Sequence, residues 1–343
     1  MINSFIQIVL VYTSTIEFSK TQLYGLYFIS FVLLFYFFLF IIAYMVDEGL
    51  KKGKHLAGRQ YGRFYKRYGD SDYRENINAD LVVLGNSRAS TSIDPAVLDN
   101  ILNIRTYNLG LNGGSPEVQH LVFDFYMNVN TKYPQIVLVN IDWLSIGKAY
   151  TLLSRKSELL PWCNDKYWKI FFEKYPVFSW GEKYVPLWKY WRKRWLVHRG
   201  LKEYWGVSHT GFGKGILGYR DGYICLDDRL PMLEYPFISE IDDDFSSIDS
   251  FLQEYIRKDI KVILFYPPIY KGFRESNNTS FIAFSLIKEF AGKRNIPYWD
   301  YTQRPECSDP AYFRDYVHLN KKGSAWFSRI LAYDLKDFIN NKF

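Results

Sequence analysis

The chain has 343 residues, of which 48% are hydrophobic and 19% aromatic, so it can bury a substantial core in one large domain or two. Its formal charge of +7 is modest, and no basic motif lies on a recognisable DNA- or RNA-binding element, which argues against nucleic acid as a partner. The three cysteines, Cys163, Cys225 and Cys307, lie far apart and show neither a disulfide framework nor a metal-ligand spacing. A single disulfide between two of them is possible from the sequence, but three ordinary thiols are the simpler interpretation. No metal or cofactor is expected.

Residues 22–46 form a charge-free run of 25 residues rich in Phe, Leu, Ile and Tyr. A membrane-spanning helix needs about 20 such residues. The run is longer than the core of a usual signal peptide, and no small-residue cleavage site follows it. The sequence therefore predicts an uncleaved transmembrane anchor over 22–46, preceded by a moderately apolar segment over 1–21 and followed by a basic linker over 47–79.

The orientation of this anchor is open. A single lysine, Lys20, stands just before the apolar run, whereas many basic residues follow it. The following basic residues are Lys51, Lys52, Lys54, Arg59, Arg63, Lys66 and Arg67. The positive-inside rule would place the main domain in the cytoplasm.

From Asp80 onward, apolar runs typical of buried strands alternate with amphipathic helices. Asp94 before Pro95, Pro116, the Ser246-Ser247 pair with Asp249, and Asn320 mark helix starts. Strands are predicted over 81–85, 104–109, 135–142, 261–266 and 296–300, and helices over 95–102, 116–130, 246–258, 281–293 and 321–338. This alternation predicts an α/β fold, a flavodoxin-like three-layer α/β/α arrangement with a central parallel sheet of about five strands, within a domain over 80–343.

The alternation breaks over residues 145–244, which are interpreted as an aromatic-rich insertion after the third strand. The insertion holds seven of the ten tryptophans. Trp188, Trp191 and Trp195 recur at helical spacing among basic residues. Packing against the main domain is the simpler interpretation; a membrane-interface helix or a sugar-stacking wall is the alternative. Residues 211–222 are glycine-rich and predict either a mobile lid or tight turns.

Two distant stretches carry residues for nucleophilic catalysis. The apolar run over 81–84 ends at Gly85, and Ser87 follows two residues later, where a strand end would expose it at the carboxyl edge of the sheet. Asp315 stands three residues before His318. A serine nucleophile needs a base, and the base needs a partner that orients it, so Ser87, His318 and Asp315 are the candidate catalytic residues. A serine after a strand can also simply complete a turn.

These residues carry a family resemblance. Gly85-Asn86-Ser87-Arg88, the segment over 108–113, and Asp315-x-x-His318 followed by Leu319-Asn320 resemble three blocks of the SGNH (GDSL-like) hydrolase superfamily. The chain is similar to its membrane-anchored branch, related to DltD-like and alginate O-acetyltransferase-like proteins. The resemblance covers about 80–143 and 260–335.

The resemblance implies an oxyanion hole formed by the N–H groups of Ser87 and Gly110. The family's usual third block, Gly-x-Asn-Asp, is altered here to Val139-Asn140-Ile141-Asp142. Asn140 is the candidate third donor, although it can equally bond to backbone at a strand end. Asn86 replaces the acidic residue common beside the nucleophile.

The resemblance further implies a serine esterase or O-acyltransferase that acts on acyl, chiefly acetyl, esters of a bacterial cell-envelope polysaccharide by double displacement. Its implied partners are the lipid bilayer, a carbohydrate polymer and a membrane-bound acyl donor protein. It favours an extracytoplasmic catalytic domain, against the charge rule. The alternatives are a catalytically silent glycan-binding or scaffold protein, and a cytoplasmic-facing lipid or thioester hydrolase.

Overall fold

The structure is a computed structural model that describes residues 19–52, 77–111, 113–143, 145–146, 156–164, 169–174, 176–207, 216–220, 223–226, 245–276 and 278–342. The expectations for residues 1–18, for most of the basic linker over 47–79 and for the glycine-rich residues 211–215 lie outside the described residues.

The centre of the fold is a parallel sheet of five strands, as the sequence predicts. The described strands are β1 (Leu81–Leu84), β2 (Thr106–Asn108), β3 (Ile136–Asn140), β4 (Ile216–Arg220), β5 (Tyr223–Leu226), β6 (Lys261–Tyr266) and β7 (Tyr298–Asp300). The sheet has the order β2-β1-β3-β6-β7, and β4 pairs with β5 in a separate antiparallel hairpin. All five sheet strands are parallel, so their carboxyl ends share one edge. This is the flavodoxin-like order.

Helices connect and cover these strands. The described helices are α1 (Lys20–Lys52), α2 (Ser87–Ser92), α3 (Pro95–Leu102), α4 (Pro116–Val129), α5 (Lys156–Leu159), α6 (Lys169–Lys174), α7 (Trp180–Tyr184), α8 (Arg194–Tyr204), α9 (Ser246–Arg257), α10 (Lys271–Ser276), α11 (Asn278–Arg294) and α12 (Lys321–Lys342). Short 3₁₀ helices lie at Leu160–Trp162, Trp188–Lys193, Pro305–Ser308 and Pro310–Tyr312.

Both faces of the sheet are buried, which gives the three layers. Along β1, Val82 and Leu84 face a core that includes residues of α4, α9 and α11. Leu81 and Val83 face a second core built with α3 and α12. Successive side chains of a strand point to opposite faces, so a strand covered on both sides must be apolar throughout. The continuous apolar runs read from the sequence have this origin.

Two of the predicted helix caps agree with the structure and one differs. The side chains of Asp94 and Asn320 cap α3 and α12 as predicted, accepting from the N–H groups of Ala96 and Gly323. The prediction that Ser246 and Ser247 cap α9 is wrong, because the helix begins at Ser246 and its N-cap is Phe245, with no side-chain cap bond. Helix α10 and the β4–β5 hairpin were not predicted.

The aromatic-rich insertion packs on the end of α1. Helix α1 continues six residues beyond the apolar run, and Val46 and Leu50 are buried in the core shared with α4. The predicted single helix through Trp188, Trp191 and Trp195 is instead two elements. A 3₁₀ turn ends at Lys193, whose backbone departs from helical geometry, and α8 then begins at Arg194.

Candidate active site

The turn that follows β1 places Ser87 at the carboxyl edge of the sheet. Gly85 has a φ of +155°, and an added Cβ would lie 2.5 Å from the Cβ of Ala89, so only glycine fits this turn. Asn86 then caps α2, its Oδ1 accepting from Arg88 N–H at 2.9 Å. Strand β1 lies between β2 and β3, where the strand order reverses, and open α/β sheets bind ligands at such a point.

The other two candidate residues, Asp315 and His318, lie on a loop before α12 that is held by hydrogen bonds at both ends. Phe313 and Leu319 form an isolated β-bridge that closes the loop, and the Asn320 side chain donates to the carbonyls of Ala311 and Phe313. Within the loop, Asp315 Oδ1 accepts from the backbone N–H groups of Val317 and His318 at 2.9 and 2.8 Å. The carboxylate is thereby fixed before it contacts the imidazole.

The structure brings Ser87, His318 and Asp315 into one hydrogen-bonded chain. His318 Nε2 lies 2.8 Å from Ser87 Oγ, and His318 Nδ1 lies 2.8 Å from Asp315 Oδ2. A carboxylate on Nδ1 favours the tautomer with a proton there, which leaves Nε2 free to accept the serine proton. The arrangement can therefore generate a serine nucleophile.

The charge of Asp315 is held by this same geometry. Burial alone would raise the pKa of the Asp315 carboxyl, but the hydrogen bond and charge of His318 and two backbone N–H groups outweigh it. The pKa of Asp315 is therefore lowered from its ordinary value. At neutral pH the carboxylate is ionised and can stabilise an imidazolium that forms when His318 takes a proton.

A buried ion pair beneath Ser87 was not predicted as a site element. The side chains of Arg88 and Asp142 are fully buried, with Arg88 Nη1 2.9 Å from Asp142 Oδ2. Asn86 Nδ2 also donates to Asp142, at 3.1 Å. The guanidinium lies 5.0 Å from the rings of both Trp143 and Tyr266. The two residues that flank Ser87 are thus both tied to Asp142.

The signal for this pair was present in the sequence. Asp142 stands at the end of the third apolar run and Arg88 directly follows Ser87. A charged residue next to a buried strand needs a partner of opposite charge. Nothing in the sequence alone shows that these two, 54 residues apart, are each other's partner.

Gly110, the predicted oxyanion donor, lies close to α2 but its N–H is engaged. An added Cβ would lie 2.6 Å from Ser90 N, so the backbone of Gly110 approaches the nucleophile helix directly. Its N–H donates to Asn108 Oδ1 at 2.9 Å. To donate to an oxyanion, the Gly110 N–H would have to leave Asn108 Oδ1 or bond to both acceptors at once. The oxyanion role of Gly110 stays a prediction.

Asn140, the predicted third donor, lies under the turn that carries Ser87. Its Oδ1 would be 3.0 Å from a Cβ at Gly85, and its side chain is fully buried. Its Nδ2 donates to Asp142 Oδ2 at 3.1 Å, and among the described residues no donor reaches Oδ1. Asn140 therefore supports the buried ion pair in this structure, and its oxyanion role also stays a prediction.

Other chemistry-bearing groups lie away from this edge. His120, Asp124 and Glu254, on α4 and α9, place their ligand atoms within 4.8 Å of one another and could hold a cation, although Glu254 also pairs with Lys258. Cys163 and Cys307 are free and buried, and burial raises the pKa of the Cys307 thiol to about 11. Such a thiol is a poor nucleophile at neutral pH.

Comparisons with known proteins add likenesses of fold. No family model matches the sequence, and no curated protein matches it either. Among solved structures the chain is similar to an acetyl xylan esterase, at 13% identity and a TM-score of 0.40, over 76% of this chain and 98% of that one.

It is also similar to a GDSL-like lipase from Bacteroides thetaiotaomicron (15% identity, TM-score 0.36, 77% of this chain and 88% of that one). A third likeness is to an acylhydrolase described as hypothetical from Bacteroides fragilis (13% identity, TM-score 0.36, 83% and 93%). At such identities and TM-scores the chemistry of this chain has to be argued from Ser87, His318 and Asp315.

Proposed function

We propose that this chain is a serine esterase or O-acyltransferase of the SGNH (GDSL-like) type, held at a membrane by α1. The observation that carries the proposal is the 2.8 Å separation of Ser87 Oγ from His318 Nε2, with Asp315 on the opposite ring nitrogen. A serine, a histidine and a carboxylate in this order of contact recur in acyl-transfer sites on unrelated folds, which supports the proposal.

The proposed reaction has two halves. Ser87 Oγ attacks an ester carbonyl while His318 Nε2 takes the serine proton, and the ionised Asp315 stabilises the resulting imidazolium. His318 then gives that proton to the leaving alkoxide, which departs as an alcohol and leaves an acyl-serine. An incoming hydroxyl, from water or from a sugar, loses its proton to His318 and attacks the acyl-serine. His318 returns that proton to Ser87 Oγ as the bond from Oγ to the acyl group breaks, which releases the acid or the new ester and restores Ser87.

The proposed substrate is an acyl ester, chiefly acetyl, of a cell-envelope polysaccharide. If the acyl group on Ser87 passes to a sugar hydroxyl instead of water, the proposed partner is a membrane-bound acyl donor protein. The support is the sequence resemblance together with α1. Its described part is long and apolar enough to cross a membrane, and residues 19–38 are exposed throughout. An extracytoplasmic catalytic domain is part of this proposal.

One observation favours the catalytically silent alternative. Two of the three predicted oxyanion donors are engaged elsewhere, Gly110 with Asn108 and Asn140 with Asp142. A fold with a depleted oxyanion hole could bind a glycan while doing little chemistry, because donors aimed at the developing charge commonly contribute the largest share of such catalysis.

A fluorophosphonate probe separates the two functions, since it labels only serines that are activated as nucleophiles. The full chain in detergent should be labelled on the peptide that contains Ser87, and Ser87→Ala should abolish that labelling. An unlabelled wild-type protein that still binds acetylated polysaccharide would favour the silent protein instead.

A further inference from the structure

The exposure of helix α1 changes sharply along its length. Every described side chain from residue 19 to residue 38 is exposed, whereas Val46, Gly49 and Leu50 are buried against the rest of the chain. A helix rises 1.5 Å per residue, so the exposed part is about 30 Å long, the thickness of a bilayer's hydrocarbon core. The rest of the protein meets α1 only from Tyr36 onward, near the end of that length and beyond it, at one membrane interface.

The part of the chain that meets α1 there is the aromatic insertion. Tyr36 Oη donates to the carbonyl of Tyr184 at 2.6 Å, and Lys189 Nζ donates to Asp47 Oδ2 at 2.6 Å. These two contacts are about 16 Å apart along the helix axis. The insertion therefore lies alongside α1 from within the apolar run to its first acidic residue.

A close helix crossing fixes the same arrangement. A Cβ added at Gly49 would lie 1.8 Å from the carbonyl oxygen of Gly200, and one added at Gly200 would lie 2.6 Å from the carbonyl oxygen of Val46. The backbones of α1 and α8 touch, as small residues permit in membrane helix packing. The insertion is thus held at a set height on the anchor.

At this height the insertion exposes large aromatic side chains. Trp188, Trp191 and Trp195 are exposed by 56, 63 and 42%. The exposure decides against the simpler prediction, that these tryptophans pack on the main domain. Together with Trp180 and Tyr184, which are exposed beside them, they form what is here called the aromatic platform.

The platform also carries positive charge. Arg192 and Arg194 are exposed between the tryptophans, and the Arg194 guanidinium lies 4.5 Å from the Trp191 ring. The rings of Trp188 and Trp191 stack at 6.4 Å. Tryptophan and tyrosine concentrate where hydrocarbon meets headgroups, because their rings are apolar and their N–H and O–H groups are polar, and arginines beside them attract anionic lipid.

We infer that the aromatic platform is a membrane-docking surface that lies in the headgroup boundary of an anionic bilayer beside α1. The occupant is lipid because the platform is continuous with the proposed membrane span and sits where that span leaves the hydrocarbon. The inference rests on the proposed anchor. Docking at two places, the helix and the platform, would hold the sheet edge with Ser87 at a fixed orientation to the membrane.

The test uses the full chain in nanodiscs of phosphatidylcholine and phosphatidylglycerol, with and without brominated acyl chains, which quench tryptophan on contact. The wild type should be quenched, and the Trp188→Phe/Trp191→Phe/Trp195→Phe variant should lose most of that quenching. Trp299→Phe is the matched control, since this ring packs on Phe338 at the far edge strand β7 and its removal should leave lipid quenching unchanged.

A second variant keeps the test decisive if the triple variant does not fold. Arg192→Glu with Arg194→Glu retains every tryptophan, and the dependence of quenching on phosphatidylglycerol content should be lost. The inference would be overturned if bromolipid quenching were equal in wild type and triple variant and the platform tryptophans were quenched by aqueous iodide. The platform would then be a binding surface for a polymer or a protein.

The failure of the anchor would look different. If the wild-type chain is released from membranes by alkaline carbonate, α1 is not an integral span and the inference falls with it. If the chain resists carbonate but its platform is not quenched, the anchor stands and the docking surface alone is wrong. Ester turnover in detergent is independent of both results.

Discussion

Around Ser87, polar and charged side chains are buried and bonded to one another, whereas beside helix α1 large aromatic side chains are left exposed. Arg88, Asp142 and Asn140 are fully buried at the sheet edge. Trp188 and Trp191 are more than half exposed in the insertion.

The contrast shows how each region is stabilised. Buried polar groups are stable when they find partners within the fold, and at the sheet edge the residues on either side of Ser87 both bond to Asp142, which holds this turn. Exposed aromatic groups lower the free energy of the protein only when something else covers them. The first region therefore has most of its partners within the chain, whereas the second leaves large rings exposed.

The largest expected effect comes from a substitution that removes the nucleophile of the proposed reaction and leaves the packing of both regions unchanged. Ser87→Ala should lower kcat for p-nitrophenyl acetate on the order of 10⁶-fold, because the covalent route disappears. Unfolding should be unchanged, since Ser87 is only half-buried. Ser92→Ala is the matched control, a buried serine of the same helix whose hydroxyl has no partner among the described residues. An equal loss in both variants would point to a damaged helix.

A smaller loss is expected from the residue that orients the base. Asp315→Asn keeps an oxygen for the Val317 and His318 N–H groups but presents a donor to His318 Nδ1, which favours the wrong tautomer. We expect kcat to fall on the order of 10³–10⁴-fold. Steady-state kinetics with thermal unfolding in parallel would show it, and a variant as active as the wild type would remove Asp315 from the mechanism.

The same carboxylate makes stability depend on pH with a defined sign. Its pKa is lowered on folding, so its contribution is fully present above the ordinary value of about 3.9 and is lost as pH falls through the folded pKa. The difference in unfolding free energy between wild type and Asp315→Asn should therefore shrink as pH falls below about 3.9. Urea unfolding from about pH 5 downward measures it, and a difference that grows over this acidic range would contradict the lowered pKa.

The buried network is tested by removing one charge. Asp142→Asn leaves the Arg88 guanidinium buried and uncompensated, which should cost about 3–5 kcal/mol of unfolding free energy. Asp249→Asn is the control, because Asp249 pairs with Arg294 at the surface and such pairs contribute about 1 kcal/mol or less. Equal costs in chemical unfolding would mean that the buried pair does not brace the Ser87 turn.

The smallest expected effect concerns the crossing of helices α1 and α8. Gly200→Ala places a methyl group against Val46 and should destabilise the packing of α8 on α1 by about 1–3 kcal/mol. Gly25→Ala, on the same helix α1 with open space around it, should have no such effect. Limited proteolysis of the insertion in nanodiscs reports the difference, and equal protection of the two variants would argue against a close crossing.

The sheet and the three candidate residues were predictable because each depends on local pattern. Apolar runs covered on both faces mark the strands, and Gly85 before Ser87 or Asp315 before His318 is a spacing visible in the chain. Right-handed connections between parallel strands then limit the face of the sheet on which each connecting helix can lie.

What the sequence did not predict depends on contacts between distant residues. The pairing of Arg88 with Asp142, the engagement of Gly110 by Asn108, and the close approach of Gly49 to Gly200 are all set by tertiary packing. The break at Lys193, where the backbone leaves helical geometry, is likewise not visible in the helical spacing of the tryptophans.

The most direct test of the central claim is to capture the acyl-enzyme. Wild-type chain mixed with p-nitrophenyl acetate and quenched rapidly in acid should carry an acetyl group on the peptide that contains Ser87, as seen by mass spectrometry. Ser87→Ala and His318→Ala should carry none there. Turnover of the ester with no acetyl group on Ser87, or with acetylation that persists in His318→Ala, would contradict the account.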